Sequence, residues 1–194
     1  DSATIAAVLG QDPEHPLMAD YAAALRDVGE HVRADHGSSF KVVIDAAAGS
    51  APALAELLAR WSAFADVSTY DGRRIPFFKR AQIAAADLDR MGLAELRDLD
   101  RLTAFADNLV PHVLRLDGVL HLDPALEERI EAGELLEHGS PEEVELRACT
   151  VHAIEQFASL TSLSPAQIDG VLWNRGAGER YKSHLRPRSR NTAY

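Results

Sequence analysis

Hydrophobic residues recur every three or four positions over much of the chain, and this spacing places side chains on one face of an α-helix. Four such stripes are present, at residues 17–32, 54–64, 83–88 and 144–158. The first predicts a helix that ends near Gly37, and the second predicts a helix with Ser50 as its N-cap. The pattern therefore favours an all-α fold.

Proline directly after a capping side chain supports the predicted helix starts, as at Asp123-Pro124 and Ser164-Pro165. Ser140-Pro141 offers a Ser N-cap and a Pro at the first helical position, with Glu143 placed to complete a capping box. Strand signals are weak: the apolar run 40–44 is too short to assign, and residues 70–72 indicate a turn between helices. No linker divides the chain, so we expect one helical domain over 1–194.

Composition and charge narrow the function classes. The 194 residues are 46% hydrophobic and 26% charged, so the chain can form a stable hydrophobic core without disulfide bonds or a structural metal. The single cysteine, Cys149, excludes an internal disulfide framework and any multi-cysteine zinc site, and it is expected to pack in the core. The formal charge of −10 argues against a stable nucleic-acid complex. No apolar run reaches the roughly 18 residues that a membrane span needs, and we expect a cytoplasmic protein.

The C-terminal segment 175–194 differs from the rest of the chain because it lacks a hydrophobic stripe and is rich in cationic residues. The cations are Arg175, Arg180, Lys182, Arg186, Arg188 and Arg190. Composition alone favours a solvated tail. The alternative is a phosphate-binding segment, since Arg and Lys suit phosphate oxygens.

Generic catalytic motifs are missing, and no two histidines have the i, i+4 spacing of helical metal ligands, so no metal site is expected. Two polar features stand out instead. Lys79 and Arg80 follow two phenylalanines at a predicted helix start, where cations oppose the helix dipole. Asp107 lies in an almost wholly apolar run, where a carboxylate is costly to bury unless it is paired. A purely structural ion pair between Asp107 and one of these cations is an equal alternative.

A third segment, 139–148, carries acids at the start of a predicted helix. Helix capping is the simplest interpretation of Glu142 and Glu143, because a helix N-terminus favours acidic side chains. Arg147 lies four residues after Glu143, which predicts an i, i+4 ion pair.

These segments together resemble the queuosine salvage family, the queuosine 5′-phosphate N-glycosylase/hydrolases. The matching segments, in the family's order, are KRAQI at 79–83, LTAFADN–P at 102–111, GS–EEVELRA at 139–148, Asp169 with Leu172 and Trp173, and Arg188-Ser189-Arg190 with Tyr194. Asn108 stands where the family usually has tyrosine, and Pro187 where it has histidine. The chain also begins inside the family's pattern, so we expect its N-terminal, tryptophan-containing segment to be lacking.

The resemblance implies hydrolysis of the N-glycosidic bond of queuosine 5′-monophosphate, which releases queuine and ribose 5-phosphate. It implies a mostly helical architecture similar to that of DNA glycosylases, and no metal or organic cofactor. The small-molecule nucleotide is then the expected partner. Breaking a ribosyl C–N bond builds positive charge on the sugar, and a carboxylate beside the anomeric carbon stabilises that charge.

Asp107 is the expected catalytic carboxylate, with Lys79 beside it. The matched motifs also nominate substrate-binding residues of three kinds. Polar groups for the base or sugar are Asn108, Glu143, Arg147 and Asp169; cations for the phosphate are Lys182, Arg188 and Arg190; rings that stack on the base, or pack in the core, are Phe78 and Trp173. The alternatives to a hydrolase are a non-catalytic helical nucleotide-binding or interaction module and, more distantly, a DNA glycosylase.

Overall fold

The computed structural model describes residues 1–194 and is mostly helical, as the stripes predict. Its ten helices are α1 Ser2–Leu9, α2 Pro16–Asp35, α3 Phe40–Ala46, α4 Ala51–Leu58, α5 Lys79–Arg90, α6 Val110–Leu116, α7 Pro124–Glu131, α8 Pro141–Ser159, α9 Pro165–Arg175 and α10 Glu179–Lys182. Its short strands are β1 Val67–Tyr70, β2 Arg73–Pro76, β3 Leu135–Leu136 and β4 Arg188–Ser189. Two 3₁₀ turns lie at Ser62–Phe64 and Leu99–Arg101. No helix combines the length and the apolar character that crossing a bilayer demands.

The predicted caps form. The Ser50 hydroxyl accepts a hydrogen bond from the Ala53 N–H at 3.4 Å, and Ser164 makes a complete capping box with Gln167. At α8 the Ser140 hydroxyl accepts from the Glu143 N–H, but the Glu143 carboxylate accepts from Gly139 rather than from Ser140. The reciprocal half of that capping box is therefore displaced by one residue.

The larger core lies where α4 and α5 pack together, with contributions from α2 and α3. Leu54 and Trp61 are buried at its centre, and Val32 closes it from α2. The N-terminal part of the first stripe is not covered, because Tyr21 and Leu25 remain exposed. Periodicity located this helix correctly but not the length of its buried face.

A second core joins α6, α8 and α9 around Val110, Ile154 and Ile168. Along α8 the partly buried Ala148 packs inward, whereas Cys149 is exposed. The expectation that this cysteine packs in the core is wrong, because the residue after Ala148 is rotated about 100° around a helix of 3.6 residues per turn.

The turn at residues 70–72 is present, but it joins strands rather than helices. β1 pairs antiparallel with β2, and Asp71 and Gly72 both have positive φ, as a two-residue hairpin turn of type I′ requires. The four-residue strands are too short to show the alternation that identifies a strand in sequence. The ambiguous run 40–44 is helical, within α3.

The basic C-terminal segment folds back onto the domain, so it is not a free tail, although all six of its cations remain exposed to solvent. Arg175 and Arg180 both contact Asp117, and Tyr181 is buried. β4 pairs in parallel with β3, at the far end of the segment. Local composition did not reveal these contacts because their partners lie far earlier in the chain.

Candidate active site

A cavity of about 760 Å³ opens between α5, the loop before α6, and α9. Its wall carries Lys79 from α5, Phe105 and Asp107 from the loop, and Asp169 and Trp173 from α9. Three separate stretches of the chain thus meet at one concave surface of a size suited to a nucleotide-sized ligand.

Asp107 is held by the start of α6. Its Oδ1 accepts hydrogen bonds from the backbone N–H of Leu109 at 2.8 Å and of Val110 at 3.1 Å. Its Oδ2 lies 3.9 Å from Lys79 Nζ, and the side chains of Asp107 and Lys79 are only 9% and 17% exposed. One oxygen is therefore fixed by backbone, while the other faces an ammonium at the cavity wall.

Lys79 begins α5, directly after Phe78 in the left-handed conformation (φ 51°). The backbone N–H of Lys79 donates to Asp66 Oδ2 at 3.0 Å. An acid at this helix start offsets the unfavourable placement of cations there. The neighbouring Arg80 points elsewhere and donates to the carbonyl of Thr192.

Asp169 supplies a second carboxyl group and is 4% exposed. Its Oδ1 accepts from the Phe105 N–H at 3.0 Å. Burial and then the nearby charge of Asp107 raise the pKa of Asp169 to about 7, although the Phe105 hydrogen bond and Lys79 act in the opposite direction. This side chain is thus poised to exchange a proton near neutral pH.

A narrow cleft lies on the other side of Asp107, and it is nearly filled by protein. Arg147 lines this cleft, and its guanidinium carbon lies 3.9 Å from the centroid of the Phe77 ring and 4.3 Å from the centroid of the Tyr194 ring. Its Nη2 is 2.6 Å from Asp66 Oδ2, whereas the predicted partner Glu143 is 3.5 Å from Nη1. The sequence predicted the i, i+4 contact and missed the shorter, long-range one.

The nominated site residues fall into three groups by location. The cavity wall includes Lys79, Asp107, Asp169 and Trp173; the cleft wall includes Asn108, Glu143, Arg147 and Arg188; neither wall includes Phe78, Lys182 and Arg190. Phe78 packs against the larger core, which favours its alternative role in packing. The guanidinium of Arg188 donates to the carbonyl of Gly133.

The cavity is acidic. Its carboxylates belong to Asp87, Asp89, Asp100, Asp107 and Asp169, and its cations are Lys79 and Arg90. Arg90 is already bonded to Asp87 at 2.9 Å. The wall therefore suits a ligand that is, or becomes, positively charged.

Two residues that form hydrogen bonds with the site, Phe105 and Asp66, were not predicted from the sequence. Phe105 lies within the matched 102–111 segment, so its position there was the available signal, whereas Asp66 belongs to no motif.

No cluster of three or more His, Cys, Asp or Glu side chains has a metal-binding arrangement. The largest cavity, about 1170 Å³, is an apolar groove around Phe40, Leu88 and Met91 that contains none of the nominated residues.

The fold and the cavity define a mostly helical protein with a lysine–aspartate pair beside a second carboxyl group, whose raised pKa lets it gain or lose a proton near neutral pH. That arrangement suits hydrolysis at a carbon that becomes cationic. The chain belongs to the queuosine salvage protein family, whose family model matches residues 1–193.

Curated relatives agree with this assignment. The chain is 38% identical over 182 residues to a protein of Sphaerobacter thermophilus, a match that covers 89% of this chain and 56% of the relative. It is 33% identical over 171 residues to one of Dictyostelium discoideum, covering 83% and 53%. Both relatives are named queuosine 5′-phosphate N-glycosylase/hydrolase. The chain spans about half the length of the curated relatives it matches.

Proposed function

We propose that this chain carries the catalytic centre of an N-glycoside hydrolase that acts on queuosine 5′-phosphate and releases queuine and ribose 5-phosphate. The observation that carries the proposal is the buried approach of Lys79 to Asp107 in the cavity that also holds Asp169. The names of the relatives supply the substrate, and the acidic wall fits a sugar that turns cationic.

Asp107 stabilises the developing charge. As the C–N bond breaks, its electron pair leaves with the base and the anomeric carbon becomes electron-poor. The 7-deaza ring of queuine lacks the nitrogen whose protonation helps ordinary purines leave, so stabilisation of the sugar carries more of the catalysis. Because backbone N–H groups already hold Oδ1, Oδ2 needs no reorientation to meet this charge.

Asp169 takes the proton of the attacking water. A general base works best when its pKa lies near the working pH, and the pKa of about 7 for Asp169 meets that condition. The water oxygen bonds to the anomeric carbon, and its proton passes to the carboxylate of Asp169. The proton then reaches the departed base, which leaves the enzyme unchanged.

Lys79 orients Asp107 and offers donors to the ribose hydroxyls. At 3.9 Å its ammonium is near enough to hold Oδ2 in place, yet it makes no hydrogen bond that would occupy that oxygen fully. Trp173, which is about half exposed at the rim, offers a ring face to the base.

The phosphate remains assigned to the basic segment, through Lys182, Arg188 and Arg190. The main cavity is too acidic to hold a phosphate dianion by itself, which supports a site outside that wall. Arg188 borders the cleft behind Asp107 and is the best placed of the three.

Several finer predictions from the sequence stay predictions. These are the likeness of the helical arrangement to DNA glycosylases, a cytoplasmic location, the single-domain boundary 1–194, and the lack of a stable nucleic-acid complex. A salt-dependent gel-shift assay with duplex DNA tests the DNA glycosylase alternative.

The test is Asp107→Asn, assayed by chromatography of queuosine 5′-monophosphate incubated with the chain. The amide keeps the shape and can still accept from Leu109 and Val110, so the fold should persist. Loss of the charge should lower turnover by about 100-fold or more. Asp123→Asn, the same change of charge at an exposed carboxylate outside the cavity that also accepts a backbone N–H, is the matched control and should stay within about threefold of wild type.

Turnover by Asp107→Asn equal to that of wild type would refute the assigned role. A wild-type chain that binds queuine and ribose 5-phosphate but releases no base would instead identify the non-catalytic binding module. Calorimetric titration with the two products distinguishes these results.

A further inference from the structure

We propose that the buried Asp66–Arg147 ion pair is a positioning unit that fixes the separation between Lys79 and Asp107. This inference rests on the proposed function, since it gives that pair a part in the same reaction. The inference is based on hydrogen bonds from this ion pair to the backbone next to Lys79 on one side and next to Asp107 on the other.

Asp66 anchors the lysine side. It directly precedes β1, and its carboxylate accepts from the Lys79 N–H at 3.0 Å. Its backbone carbonyl accepts from the N–H groups of Phe77 and Phe78 at 3.0 and 3.2 Å. Three successive N–H groups at the entry to α5 therefore bind one residue, which fixes where the Lys79 side chain begins.

Arg147 anchors the aspartate side. Its Nε donates to the carbonyl of Ala106 at 3.0 Å, one residue before Asp107, while its Nη2 holds Asp66 at 2.6 Å. The rings of Phe77 and Tyr194 both contact its guanidinium group, and these contacts restrict its movement. Because the fork is planar, its two contacts hold the α5 entry and the Asp107 loop at a set distance.

The arrangement is poorly explained by stability alone. The side chains of Arg147 and Asp66 are almost fully buried, at 2% and 0% exposed, and such a pair must overcome a large desolvation penalty. Asp66 Oδ1 is buried without a hydrogen-bond partner, and Arg147 Nη1 has only the longer ion-pair contact with Glu143 at 3.5 Å, so the contacts offset only part of the desolvation penalty.

The test compares Arg147→Lys with Arg115→Lys in the full chain. Lysine keeps the positive charge, but it lacks the planar guanidinium that binds Asp66 and the Ala106 carbonyl at the same time. Arg115 is a matched control, since it is also buried, pairs with Glu131 at 2.9 Å and donates to the carbonyl of Leu185, away from the cavity. Asp66→Asn, which preserves shape, is the second variant should Arg147→Lys fail to fold.

A positioning role predicts a fall in kcat of about 10- to 100-fold with KM within about threefold, because misplaced groups affect the transition state more than binding. Arg115→Lys should lose stability without that fall. A folded Arg147→Lys or Asp66→Asn chain with the kcat of the control would overturn the inference.

A second readout does not depend on hydrolysis. Carbon-13 NMR titration of the Asp169 carboxyl reports on the Phe105–Asp107 loop, because both Phe105 and Asp107 influence that group. Release of the loop should move the titration midpoint by about half a unit or more in the variants, and not in Arg115→Lys. If wild type hydrolyses nothing, the proposed function fails, and this titration alone decides the inference: an unchanged midpoint overturns it.

Discussion

Replacement of Asp169 by Asn should make the stability of the chain less sensitive to rising pH. The folded chain keeps a proton on Asp169 up to about pH 7, whereas the unfolded chain loses it near the ordinary pKa of 3.8. Between these values the folded state binds more protons, so the stability of the wild type falls as pH rises. At about 1.4 kcal/mol per unit, this window of about three units is worth up to about 4 kcal/mol.

The asparagine side chain of this variant is neutral at every pH, and its oxygen can still accept from the Phe105 N–H. The variant should therefore match the wild type closely in acid and become more stable in base. Urea unfolding of both proteins at about pH 5 and pH 8 should show their difference in unfolding free energy changing by about 3 kcal/mol. The same variant should lose turnover, because it lacks the group that takes the proton from water.

Asp123→Asn is the control, since Asp123 also accepts a backbone N–H, from Ala125, but is exposed. Its stability difference from wild type should be nearly the same at both pH values. A difference between wild type and Asp169→Asn that does not change with pH would show that Asp169 is ionised like an ordinary surface acid. The assignment of the general base would then be wrong.

Two further predictions concern neighbouring elements. Gly176→Ala should destabilise the chain by about 1–3 kcal/mol in thermal unfolding, because a Cβ there would lie 2.9 Å from the side chain of Leu109. Gly170→Ala in α9 is the control: a Cβ there meets nothing within 4 Å, so this variant should be neutral or stabilising in the same measurement. Joint replacement of Arg188 and Arg190 by Ala should raise KM for queuosine 5′-monophosphate about tenfold and leave KM for the nucleoside unchanged, and equal effects on both substrates would contradict a phosphate role.

The local part of the fold was predictable because local physics determines it. The caps at Ser50 and Ser164 satisfy N–H groups within their own helices, so their sequence signals suffice. The hairpin around Asp71 escaped prediction because its strands are stabilised by pairing with each other and not by a period. Tyr21 and Cys149 show that a stripe indicates a helix but does not fix which of its residues another element covers.

The candidate site divides in the same way. The sequence by itself determined that Asp107 is a carboxylate among apolar residues, that cations begin α5, and that the chain resembles queuosine salvage proteins. Only the tertiary structure decided that Lys79 meets Asp107, that Asp169 joins them with a raised pKa, and that Asp66 rather than Glu143 makes the shorter contact with Arg147. Burial and the approach of residues far apart in the chain set these properties, and neither is written in any local pattern.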